Sequence, residues 1–252
     1  MNADEALIAY ILRLADNALI LSQRMVELVA AEPELEEELA NANFALDFIG
    51  QARMLYTLAG EREGQGRSED DLAFMRDEHE FRNLLLLEQP NGHFGDALLR
   101  QFLFEVFYEH LLDALTRCSD QGLCAIAERA IKEVRYHKRH NSMWMVRLGD
   151  GTELSHDRIQ QSLDDAWRFT GEMFVADEID ISIQERFNGP DLSNIQKLWR
   201  QDVEKTVAEA TLTLPDDQWM ASGGKQGQHS EHLGFLLAEM QYLQRSFPGA
   251  SW

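Results

Sequence analysis

The residues of this chain that could carry chemistry are histidines and carboxylates. In a bundle of long helices, two lone carboxylates and two Glu-x-x-His pairs make a di-iron centre, because positions three apart share one helix face. The residue three before each histidine is Arg76 for His79, Pro90 for His93, Phe107 for His110, Val134 for His137, His137 for His140, Gln226 for His229 and His229 for His232. Only Glu153 and His156 have the required spacing, and they follow the break Gly149-Asp150-Gly151, where a helix start is expected rather than an inward bundle position. Two such motifs are lacking, so a standard di-iron centre cannot be built.

Other spacings invite weaker readings. His137-x-x-His140 and His229-x-x-His232 have helical ligand spacing, and Glu133 or Glu231 would complete a zinc-like site. In segments this rich in charge such histidines read first as solvated or packing residues. Gly223-Gly224-Lys225 lacks the spacing of a phosphate loop and reads as a flexible entry into the last helix, with Lys225 free to meet an anion or an acidic residue at a subunit boundary. Cys118 and Cys124 show no Cys-x-x-Cys pattern and read as small, buried or half-buried side chains.

Acidic residues outnumber basic ones by 44 to 23, a net charge of −21 that repels nucleic acid and anionic lipid. The acid is spread over helices apart from the block Glu34 to Glu38, which implies solvated faces and leaves room for a basic protein partner. No apolar run approaches the roughly 20 residues of a membrane span. The start MNADEALIAY has no basic n-region, so a cytoplasmic protein is expected.

The elements that must position these groups are helical. Five prolines, few β-branched runs and apolar recurrence at three and four predict an all-α chain, read as a single domain over 1–252. A first helix should end near Ala31 ahead of Pro33, which fits the first turn of a second helix reaching about Ala59. Past the loop Gly60 to Ser68, helices are expected over Glu69 to Leu87, Phe94 to Arg117 and Gln121 to Leu148. Further helices are expected near Ser155 to Phe174, Asp191 to Ala210 and Ser230 to Ser246. The segment Gln101 to His110 is apolar on more than one face, as a central bundle helix would be.

Four stretches carry a resemblance: Leu46-Asp-Phe-Ile-Gly-Gln-Ala-Arg53, Asn83-Leu-Leu-Leu-Leu-Glu-Gln-Pro-Asn-Gly92, Ala130-Ile-Lys-Glu-Val-Arg-Tyr-His137 and the run from Ser230 to Arg245. From end to end the chain resembles the family of structural, non-catalytic subunits of the bacterial phenylacetyl-CoA epoxidase (ring 1,2-epoxidase). The resemblance implies a ferritin-like helical bundle with additional C-terminal helices. It also implies a place beside a homologous catalytic subunit that holds the di-iron centre, in a complex with a small bridging subunit and a reductase.

Laid on the catalytic subunit's ligand pattern, Asp16 falls at the first lone carboxylate and Asp47 with Gly50 at the first pair. Glu105, or Glu109 one turn on, falls at the second lone carboxylate, and Val134 with His137 at the second pair. Glycine and valine cannot ligate, so the resemblance implies a chain with no cofactor and no catalytic residue of its own. Asp16, Asp47, Glu105 and His137 are then expected in a buried ion-pair and hydrogen-bond network, with His137 and nearby arginines such as Arg13 as the balancing cations. Two other classes compete: a metal-dependent oxygenase using those four side chains, and a coenzyme A thioester-binding protein without catalysis. Metal content and thioester binding of the isolated chain separate them.

Overall fold

The computed structural model describes residues 2–29, 34–217 and 219–250, and among them the regular structure is entirely helical. The first helix, α1 (Ala3–Val26), begins with a capping box: Asn2 accepts from the Glu5 N–H while the Glu5 carboxylate accepts from the Asn2 N–H, both at 2.9 Å. Helix α2 (Leu35–Glu63) opens on Glu36, Glu37 and Glu38, which complement its dipole, and stops at Gly64 in the left-handed region, φ 67°. Pro33, expected in its first turn, lies outside the described residues.

Ser22 donates to the Ala45 carbonyl and Tyr56 to Asp16, so α1 and α2 run antiparallel. Helices α5 (Phe94–Leu115) and α6 (Gln121–Gly149) form a second antiparallel pair, in which Asn141 meets Gln101 and Glu105 while Lys138 meets Glu109. The two hairpins are joined across α2 and α6 by Glu37 with His140, Asp47 with His137 and Gln51 with Glu133. Helix α5 is buried on all sides through Phe102, Phe104, Phe107 and Tyr108, the central position its sequence predicts.

The helix expected from Glu69 to Leu87 is instead broken. A six-residue helix α3 (Glu69–Phe74), a 3₁₀ turn (Glu78–Glu80), extended backbone over 81–84 and a short α4 (Leu85–Glu88) replace it. The reason is competition for backbone donors. The N–H groups of Arg82, Leu84 and Leu85 are taken by Asp16 at 2.8 Å, Asn17 at 2.8 Å and Glu172 at 3.0 Å, so they cannot serve a helix.

Beyond Gly151, α7 (Glu153–Trp167) is shorter than expected, because the chain turns through a 3₁₀ segment (Gly171–Phe174). A Cβ at Gly171 would stand 2.7 Å from Met220, so the turn closes against that side chain. Helix α8 (Glu178–Phe187) falls where no helix is expected, nucleated by Asp177, whose carboxylate accepts from the Ile179 and Asp180 N–H groups. Helix α9 (Leu192–Glu209) packs on α5, with the Trp199 indole donating to the Leu103 carbonyl at 2.9 Å. The last expected helix divides into α10 (Glu231–Met240) and α11 (Tyr242–Ser246) at Gln241, whose amide reaches back to the Ala73 and Arg76 carbonyls. Among the described residues no helix is long and apolar enough to cross a membrane.

Candidate functional site

Asp16, fully buried on α1, sits in a cage of donors. Tyr56 donates to it at 2.6 Å, the Arg82 backbone N–H at 2.8 Å, and the Arg76 guanidinium holds both carboxylate oxygens. Burial disfavours the Arg76 charge, but Asp16 beside it keeps the guanidinium raised above its ordinary value. The balancing cation is thus an arginine, but not the Arg13 offered as the example: Arg13 binds Asp177 at 2.6 Å and Asp180 at 2.9 Å, tying α1 to α8. Sequence reasoning missed Arg76 and Tyr56 because neither lies at ligand spacing from Asp16.

A second cluster forms between α2, α5 and α6. His137 is fully buried, with Nε2 3.0 Å from the half-exposed Asp47 carboxylate and Nδ1 3.9 Å from Glu105 Oε1. The second distance is beyond hydrogen-bond reach, and both facing atoms are buried without a partner. Glu105 Oε2 accepts from Asn141 at 2.7 Å; Asn141 also donates to Gln101, which in turn donates to Asn41. Of the two candidates on α5, Glu105 is the interior one; Glu109 is half-buried and bound to Arg135 and Lys138.

The tautomer and the acid follow from this geometry. With Nε2 against a carboxylate, His137 carries its proton there and presents a lone pair at Nδ1. Burial drives the Glu105 pKa well upward, against the opposing hydrogen bond from Asn141, and so favours the neutral acid. Burial likewise lowers the His137 pKa despite Asp47. For a carboxyl raised above its ordinary 4.5, stability is fully present below that value and is lost as pH rises toward the folded value. Glu105→Gln should therefore match the wild type in acid and become progressively more stable than it toward alkaline pH. Urea melts of both proteins across pH check this, and parallel curves would refute it.

Gly50 and Val134 occupy the remaining positions. Val134 is fully buried, whereas Gly50 borders a cleft of about 500 Å³ shared with Arg53, Tyr56 and Phe74. A Cβ at Gly50 would meet nothing within 4 Å, so packing does not require glycine there. Gly50→Ala in mid-helix should stabilise the protein by about 0.5–1 kcal/mol in thermal melts, with a loss of stability contradicting this reading.

The residues at the ligand positions do not fit a di-iron centre. Asp16 is saturated by its donors, Gly50 and Val134 offer none, and Asp47 and Glu105 lie on opposite nitrogens of one imidazole rather than facing a common point. Among the described residues no cluster of three or more His, Cys, Asp or Glu converges to hold a metal ion.

The other motifs also resolve into structure. His137 and His140 turn to different carboxylates, Asp47 and Glu37, and so tie α6 to α2. His229 uses both nitrogens, on Glu88 at 2.8 Å and the Phe81 carbonyl at 3.0 Å. Burial opposes its charge, yet these acceptors raise its pKa above the ordinary value. His156 bonds the Gly149 carbonyl, and Glu153 stands exposed in the first turn of α7. Lys225 is buried and reaches Asp180 at 3.0 Å within the same chain, not across a boundary. Both cysteines are free; Cys118 is buried and Cys124 half-buried.

Two antiparallel helix hairpins, one of them containing the buried helix α5, with further C-terminal helices, define a ferritin-like helical bundle in which Asp16 is held by Arg76 and Tyr56, and Asp47 by His137. The chain belongs to the phenylacetic acid catabolic protein family, whose model matches residues 1–252. It is 49% identical over 246 residues to the C component of the 1,2-phenylacetyl-CoA epoxidase of Escherichia coli K12, covering 98% of this chain and 99% of that relative.

Proposed function

We propose that this chain is the non-catalytic structural subunit of a multicomponent phenylacetyl-CoA epoxidase of phenylacetate catabolism. In this reading it binds and supports a homologous catalytic subunit, with a small bridging subunit and a reductase completing a cytoplasmic complex. The observation that carries the reading is the end-to-end identity of 49% with the C component of such an epoxidase. The arrangement of Asp16 with Arg76 and of Asp47 with His137 supports the non-catalytic role, since each carboxylate is committed to a side chain from another part of the chain.

The di-iron centre then belongs to the partner, where it would supply oxygen activation; this chain's residues contribute a stable surface. Purifying the chain alone and together with its catalytic partner, with mass and metal measured on both, tests the proposal. Two irons per heterodimer and none on the isolated chain are expected. Stoichiometric metal and oxygen consumption by the isolated chain would instead make it an oxygenase, and tight thioester binding without a partner would make it a thioester-binding protein.

A further inference from the structure

Charge is not spread evenly over this acidic molecule. Helix α6 carries six of the chain's 23 basic residues, Arg129, Lys132, Arg135, Lys138, Arg139 and Arg147, and only two of its 44 acidic ones, Glu128 and Glu133. Lys132, Tyr136, Arg139 and Met143 follow at steps of four, three and four, which puts them on one helix face. All four are exposed, Tyr136 by 53% and Met143 by 57%.

The cations of this face are unspent. Arg129 and Arg135 have carboxylate partners, but among the described residues Lys132, Arg139 and Arg147 have none. Arg139 lies over the Tyr136 ring at 5.4 Å and Arg147 over the Trp144 ring at 4.7 Å. Such stacking holds a guanidinium in place without neutralising it. Tyr136 is itself fixed edge-on against Phe44 of α2, with ring centroids 5.8 Å apart. Rigid aromatic, Met and Arg side chains are the composition of an interface centre.

We propose that the outward face of α6, centred on Lys132, Tyr136, Arg139 and Met143 and edged by Arg147, docks an acidic face of another component of the epoxidase. This rests on the functional reading above. The choice of a discrete acidic protein face follows from charge: the 42 acidic and 17 basic residues elsewhere on the chain repel an extended polyanion such as nucleic acid or an anionic membrane. They do not oppose a bounded acidic patch. The half-exposed Tyr136 and Met143 add apolar contact that a small inorganic anion would leave unused.

The test is association of the full chain with the other epoxidase subunits at low and high salt, comparing wild type with the triple variant Lys132→Glu, Arg139→Glu, Arg147→Glu. Because these side chains are exposed and unpaired, the variant should fold and melt like the wild type. Its affinity should fall by about a hundredfold at low salt, and the salt dependence should flatten. Glu239→Lys on α10 serves as a charge control and should leave association unchanged. If wild type and triple variant assemble equally well with the same salt dependence, the docking face is wrong while the functional reading stands. If the wild type binds none of the epoxidase components, the functional reading falls and takes this inference with it. A variant that loses only affinity for DNA or anionic vesicles would likewise overturn it.

Discussion

Asp16→Asn is expected to destabilise the protein by about 3–5 kcal/mol, a large share of the roughly 5–15 kcal/mol that holds a typical domain folded. The asparagine keeps the shape and one carbonyl oxygen but not the charge. Arg76, buried beneath Phe81 with its guanidinium 4.2 Å from that ring, would then be an uncompensated cation in the interior. Tyr56 and the Arg82 N–H would compete for a single acceptor. Denaturant melts at neutral pH measure the loss. The decisive comparison is the double variant Asp16→Asn, Arg76→Met, which removes the stranded charge and should recover a substantial part of the stability. A double variant no more stable than Asp16→Asn alone would show that the ion pair is not the reason Asp16 matters.

Glu172→Ala should cost at least about 3 kcal/mol, because one carboxylate serves three backbone donors and each buried N–H left bare costs about 1–3 kcal/mol. Oε1 accepts from Gly223 at 2.8 Å and Lys225 at 3.3 Å, and Oε2 accepts from Leu85 at 3.0 Å. The backbones meet closely here: a Cβ at Gly224 would stand 2.2 Å from the Asn83 carbonyl, so water has little room to replace the carboxylate. Glu172→Gln should lie between wild type and alanine, since it retains one acceptor and turns a donor toward another. Equilibrium urea unfolding of the three proteins gives the order, and a loss below about 1 kcal/mol for alanine would refute the role assigned to Glu172.

The long helices were legible in the sequence because their periodicity and breaks are local. Gly64 ends α2, Gly149 to Gly151 end α6, and the aromatic run of α5 announced its burial. The broken stretch from Glu69 to Leu87 was not legible. Its apolar content suits a helix, and what overrides it are acceptors from Asp16, Asn17 and Glu172, which the sequence places 66, 67 and 87 residues away. Helix α8 was missed for a simpler reason: its signal is the Asp177 cap and its Asp180 partner, in a stretch too short for clear periodicity.

The candidate site divides in the same way. Gly50 and Val134 could be read as positions without donors from residue type alone, and the pairing of Asp47 with His137 follows from adjacent helices. The choice of Arg76 over Arg13 as the counterion of Asp16 could not be read. Arg13 is one turn from Asp16 on the same helix, but it is drawn to Asp177 and Asp180, which are remote in the chain and close in space. Glu172 carries no motif at all, since its importance lies in which backbone donors surround it.

The clasp formed by Asp16, Asn17 and Glu172 on the backbone N–H groups of Arg82, Leu84 and Leu85 has a kinetic consequence. The two helix hairpins close short loops and can form early, whereas the clasp joins residues separated by up to 87 positions and must wait for distant parts of the chain to meet. Interactions completed after the rate-limiting step leave the folding rate nearly untouched and accelerate unfolding when removed. Stopped-flow measurements on Glu172→Ala should accordingly show the unfolding arm raised and the refolding arm close to wild type. The clasp would then act as a late latch that governs how long the assembled protein stays folded, rather than how quickly it is made.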